Sequence, residues 1–102
     1  MNYLIKIIEE NRNGIPKGIY SVCSAHPLVI EAAIEQAKED GTPLLIEATA
    51  NQVNQYGGYT GMRPSVFYDF VKEIANNVNF SMDMIILGGD HLGPVCWRLE
   101  GV

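Results

Sequence analysis

The chain has 102 residues, the size of one small domain of about 100–150 residues and too short for two. Apolar residues make up 47% and charged residues 19%, a balance that excludes a disordered or fibrous chain. Seven Lys and Arg against twelve Asp and Glu leave a net charge of −5, which argues against a nucleic-acid partner and against attraction to an anionic membrane.

The first segment, Asn2 to Asn11, carries Leu4, Ile7 and Ile8 and reads as a helix ending near Gly14. Glu9 and Glu10 stand where a signal peptide would have its apolar stretch, and no apolar run approaches the roughly 20 residues of a membrane span. A cytoplasmic location is therefore expected, and the two cysteines, Cys23 and Cys96, are expected to stay thiols there. Gly18 to Cys23 is a short apolar run that does not alternate with polar residues, the pattern of a strand buried on both faces. From Pro27 to Asp40, Leu28, Val29, Ala32, Ala33 and Ala37 suggest the apolar stripe of a helix, with Pro27 in its first turn and Gly41 just past its end.

A second buried strand is expected at Leu44 to Ala48. Thr49 to Arg63, rich in Asn, Gln, Gly and Tyr, reads as a long loop, and a loop of that length inside a compact unit is usually functional. After Pro64, the residues Val66, Phe67, Phe70, Val71, Ile74, Ala75 and Val78 recur at three-and-four spacing and predict a helix. Met84 to Gly88 predicts the third strand. Strands that alternate with helices imply an α/β fold with a parallel sheet.

In such folds the working surface lies beyond the carboxyl ends of the strands. Cys23-Ser24-Ala25-His26 follows the first strand. Glu47 ends the second, ahead of Asn51 and Gln52. Gly88-Gly89-Asp90-His91 follows the third. All three ends thus carry polar or ionisable groups, and both histidines are among them. Asp90 is a candidate acid/base and His91 a candidate metal ligand, since a neutral imidazole binds zinc and a neighbouring carboxylate can move a proton. The alternative is that the pair caps a strand end and a turn. Gly88 and Gly89 would let the backbone turn tightly and leave the approach open.

Other assignments compete at the same positions. Cys23, His26, His91 and Cys96 could form a Cys2His2 zinc site, but their separations match no finger or ribbon. Cys23 could be a nucleophile beside His26, or a packing residue; His26 before Pro27 could be a ligand, or simply start the helix. Glu47, near the end of an apolar strand, either contacts substrate or is paired locally. Gly57 and Gly58, in the run Gly57-Gly58-Tyr59-Thr60-Gly61, could cradle a phosphate through backbone amides, or belong to a flexible loop that closes over a site. Glu47, Asn51, Gln52, Gly57 and Gly58 are the substrate-binding candidates. Trp97 reads as a core or interface residue.

Three stretches resemble a known family. Ser21-Val22-Cys23-Ser24-Ala25-His26-Pro27 through Ala33, Leu45-Ile46-Glu47-Ala48-Thr49 with Asn51 through Met62, and Ile85-Ile86-Leu87-Gly88-Gly89-Asp90-His91-Leu92-Gly93-Pro94 are similar to segments of the non-catalytic subunit of class II tagatose-bisphosphate aldolase. The resemblance implies the parallel βαβαβ portion of an aldolase-type (β/α)8 TIM barrel. It implies a role in galactitol, N-acetylgalactosamine or tagatose catabolism, supporting the stability and activity of a catalytic subunit that cleaves a sugar bisphosphate. The wider class II aldolases place an Asp-His pair after the third strand, which Asp90 and His91 match. They use Zn2+ or another divalent metal, which the full-length protein could hold.

Val95 departs from the family, which would carry a polar residue there. Residues 1–102 would supply about three of eight βα units, an incomplete barrel. No metal and no aldolase activity are then expected of this chain alone, and exposed sheet edges make self-association possible. Two alternatives stand beside the accessory subunit. One is a metal-dependent sugar-phosphate aldolase or epimerase using Asp90 and His91. The other is a truncated gene product without a function of its own.

Overall fold

The computed structural model describes residues 3–92. Along the chain come α1 (Tyr3–Arg12), β1 (Ser21–Cys23), α2 (Pro27–Asp40), β2 (Leu44–Thr49), α3 (Pro64–Asn77), a 3-10 turn (Met82–Met84) and β3 (Ile85–Asp90). The three strands form one parallel sheet in the order β1-β2-β3. This is the expected βαβαβ portion of an aldolase-type barrel, with an open sheet.

Local chemistry sets the helix limits. Pro27 and Pro64 open α2 and α3, where a missing N–H costs nothing. At the start of α2, His26 Nδ1 accepts from the Leu28 amide at 3.2 Å. The reading of His26 as a helix-starting residue therefore holds. Gly41, at φ 67°, closes α2 in the left-handed conformation, and its N–H returns to the last carbonyls.

The apolar stripe of α2 differs from the expected one. Ile30, Ile34 and Ala37 are buried with Ala33 half-buried beside them, while Leu28 and Val29 are exposed. Positions 30, 33, 34 and 37 follow the i, i+3, i+4, i+7 rule more closely than the expected set does. On α3, Phe67, Val71 and Ala75 are buried as expected, but Val66 is exposed.

The strands also depart from a double-sided burial. Leu44, Ile46 and Ala48 of β2 are buried against the helices, while Leu45, Glu47 and Thr49 between them are half-buried on the opposite face. Parallel partners share a face, so Ser21, Cys23, Ile86, Gly88 and Asp90 line that second face too. Helices α2 and α3 dress one side of the sheet, and the polar residues gather on the other. β1 is shorter than expected because the register that sets Ser21 beside Leu45 would set Ile19 beside Pro43, which has no N–H to give.

Among the described residues, no helix is long and apolar enough to cross a membrane. α1 has no buried residue; it reaches the amino-terminal end of β3 through Tyr3, whose hydroxyl donates to Met84 Sδ at 3.1 Å.

Candidate functional site

β3 runs on through Gly88 and Gly89 to Asp90, so the two glycines are strand residues and not the tight turn expected of them. Neither has a positive φ. Their bareness serves close approach instead. A Cβ on Gly88 would lie 3.3 Å from Glu47 Cγ, and one on Gly89 would lie 3.0 Å from the Leu92 methyls. The Glu47 side chain thus leans over β3.

Asp90 ends β3 on the same face. Its Oδ1 accepts from the His91 amide at 2.8 Å, and its Oδ2 accepts from the Cys23 thiol at 3.7 Å. Cys23 and Asp90 belong to the two outer strands, so their side chains meet above the central strand β2. His91 has a φ of 52°, a left-handed conformation uncommon for a residue with a side chain, and its Nε2 lies 3.8 Å from Asp90 Oδ2. The structure therefore brings Cys23, Glu47, Asp90 and His91 to one place.

The Cys23 thiol is pushed above its ordinary value, by desolvation first, then by its hydrogen bond to Asp90 and by the negative charges of Asp90 and Glu47. Such a group stays protonated, which weighs against the nucleophile reading. His26 takes no part: its Nδ1 is spent on the Leu28 amide.

The segment between β2 and α3 is folded on itself. Asn54 is its hub: Nδ2 donates to the Ala50 carbonyl at 2.7 Å, and Oδ1 accepts from the amides of Tyr56 and Gly58. Gln52 Oε1 accepts from the Thr49 amide at 2.8 Å, and the Gln52 carbonyl accepts from the Thr60 hydroxyl at 2.6 Å. The amides of Gly57, Tyr59, Thr60 and Gly61 donate to the carbonyls of Asn54, Asn51, Gln52 and Gly58. Every amide from Gly57 to Gly61 is therefore engaged inside the segment, and none is free to hold a phosphate in this conformation. Gly57 and Gly58 have φ values of 107° and 62°, and a Cβ on Gly58 would fall 2.5 Å from the Gln52 carbonyl oxygen. A cavity of about 300 Å³ lies between this segment and the start of α2, lined by Ser24, His26, Gln52, Tyr59 and Thr60 among others.

A family model described as D-tagatose-1,6-bisphosphate aldolase subunit GatZ/KbaZ-like matches residues 4–101. The chain belongs to this family. Among solved structures it is similar to one described as a probable tagatose 6 phosphate kinase from Sinorhizobium meliloti 1021, with 60% identity and a TM-score of 0.77. That likeness covers 80% of this chain and 21% of the solved one, so this GatZ/KbaZ-like chain spans about a fifth of the length of that relative.

The donor set of the GatZ/KbaZ-like chain does not fit the divalent metal of the class II aldolases. Among the described residues, no three His, Cys, Asp or Glu side chains come together in a way that could hold a metal ion. Asp90 and His91 do not suffice, since a catalytic zinc takes about three protein ligands. Cys96, required by the Cys2His2 alternative, lies outside the described residues, as do Val95 and Trp97. The sequence reading also missed Asn54 as the hub of its segment. The signal was present, because an Asn two residues before a turn commonly bonds the backbone ahead of it.

Proposed function

We propose that this chain forms part of an accessory, non-catalytic subunit of a class II tagatose-bisphosphate aldolase, in a cytoplasmic complex that breaks down sugar bisphosphates. Its role there is to support the stability and activity of a catalytic partner. The observation that carries this reading is the match of residues 4–101 to a family of aldolase subunits. The name of the solved relative also contains a tagatose phosphate, so a phosphorylated ketohexose is the ligand class common to both. Glu47, Asp90 and His91 would face it from the carboxyl ends of β2 and β3, with Asn51, Gln52, Gly57 and Gly58 building the wall beside it. Any Zn2+ or other divalent metal would need further ligands from the rest of a longer protein.

The test is co-expression with a class II catalytic subunit, for this chain and for a full-length relative. Co-purification, and a cleavage activity that outlasts that of the catalytic subunit alone, are expected at least for the full-length form. Failure of both forms to bind or protect the catalytic subunit would overturn the reading.

The placement of Asp90 beside His91 at the carboxyl end of β3 supports a second reading as a metal-dependent sugar-phosphate aldolase or epimerase, whose further metal ligands would come from the rest of a longer protein. Under it, the full-length protein turns over substrate with added zinc and loses that turnover on Asp90→Asn. Under the accessory reading, turnover requires the catalytic partner and survives the substitution.

A further inference from the structure

Asn13 and Gly14 form the turn after α1, and both are exposed. No other asparagine of the chain precedes a glycine. Gly14 sits at φ 82°, and a Cβ there would meet nothing within 4 Å, so the peptide bond between the two residues is uncrowded. The side-chain amide of Asn13 has no hydrogen-bond partner among the described residues. Asn11, two residues earlier, is tied down: its Nδ2 donates to the carbonyls of Ile7 and Lys17 at 3.0 and 2.8 Å, and its Oδ1 accepts from the Lys17 amide at 3.4 Å.

We propose that Asn13-Gly14 is a site of spontaneous deamidation, with water as the co-reactant. The Gly14 nitrogen gives its proton to solvent base and attacks Asn13 Cγ. The new N–C bond forms as the bond from Cγ to the side-chain nitrogen breaks, and that nitrogen leaves as ammonia with the proton. Water then adds to one of the two carbonyl carbons of the cyclic imide and opens it. The product is aspartate, or isoaspartate when the chain now runs through the former side chain. No electrons are transferred. Gly14 permits the attack because it has no side chain to hinder its nitrogen. The bond that must open first, from the Gly14 amide to the Asn11 carbonyl at 3.1 Å, lies at an exposed helix end, where opening is cheap.

The product bears on α1. A new carboxylate at a helix carboxyl end is unfavourable, and Glu9 and Glu10 are already within a turn of it. Isoaspartate also adds a backbone atom between Asn13 and Gly14, inside the loops closed by the Gly14–Asn11 bond and by the 2.9 Å bond from the Ile15 amide to the Glu10 carbonyl. Since α1 buries no residue, its attachment weakens as the protein ages.

The experiment is incubation of the chain, folded and in urea, at mildly alkaline pH and body temperature, followed by peptide mass mapping and enzymatic methyl-transfer detection of isoaspartate. The mass gain of an amide exchanged for an acid, at the peptide containing Asn13 and ahead of those containing Asn51 and Asn76, is expected in the folded chain. Asn13→Gln, which leaves the turn intact, abolishes it. Gly14→Ala slows it, though that change also strains the turn. A folded chain that gains mass at Asn13 no faster than at Asn51 or Asn76, or that is unreactive there while the chain in urea reacts, overturns the proposal.

Discussion

Glu47 and Gly88 are register partners on β2 and β3, and the side chain of Glu47 lies across the bare backbone of Gly88. Gly88 leaves a place on the polar face of the sheet, and Glu47 fills it. Gly88→Ala puts a methyl 3.3 Å from Glu47 Cγ, a contact that a small rotation relieves, so the stability change should stay within about 1 kcal/mol. Gly88→Val takes the place outright and turns Glu47 away. Under the proposed ligand class, that variant of the full-length protein binds a phosphorylated ketohexose more weakly, with its melting behaviour little changed. Calorimetric titration and a thermal melt read the two effects separately.

The Cys23 thiol is held above its ordinary value by desolvation, by the Asp90 carboxylate and by the charge of Glu47. Above the ordinary value, the unfolded chain has released a proton that the folded chain still binds. This contribution to stability is therefore complete below the ordinary thiol value and fades as pH rises through the raised one. Asp90→Asn removes the charge and, with its oxygen kept on the His91 amide, turns an NH2 donor toward the sulfur, so the thiol titrates lower and alkylation at Cys23 speeds up in mildly alkaline solution. Iodoacetamide labelling across pH, followed at Cys23 by peptide mapping because Cys96 also reacts, measures the shift. An unchanged profile would show that Asp90 does not govern the thiol.

Two left-handed glycines should respond differently to alanine. Gly41, at φ 67°, has open space around its missing Cβ, so Gly41→Ala costs only the conformational penalty of about 1–2 kcal/mol. At Gly58 the added methyl also meets the Gln52 carbonyl oxygen at 2.5 Å, which no rotamer can relieve. Gly58→Ala should cost more than Gly41→Ala, about 3 kcal/mol, as the turn around Asn54 is forced apart. Urea denaturation gives both values.

Neighbouring residues of β2 test the one-sided burial of the sheet. Ile46 is fully buried against the helices, so Ile46→Ala should lose about 2–5 kcal/mol. Leu45 is half-buried on the opposite face and should lose clearly less on the same change. Equal losses would mean that the second face is also covered in solution.

Much of this architecture is legible in local chemistry. Pro27 with Gly41, and Pro64 with its three-and-four spacing, mark α2 and α3 because helix ends have strict backbone demands. What is not legible depends on neighbours. The stripe of α2 turns on which of Leu28, Val29, Ile30 and Ile34 meets the sheet, and all four are equally apolar. The length of β1 depends on Pro43, the residue just before another strand. The extent of β3 was hidden because Gly88 and Gly89 resemble turn residues until Glu47 and Leu92 are seen to need the space. The gathering of Cys23, Glu47, Asp90 and His91 follows from parallel strand ends, but the bond from Cys23 to Asp90 across β2 requires the register.

The self-bonded segment between β2 and α3 has one more consequence. With Asn54 knotting its turn and every amide from Gly57 to Gly61 already spoken for, swinging it aside would sacrifice several hydrogen bonds together. Tyr56 and Tyr59 are therefore carried on a doorframe, not on a door, and this segment is not the part that would swing to admit a ligand to the carboxyl face.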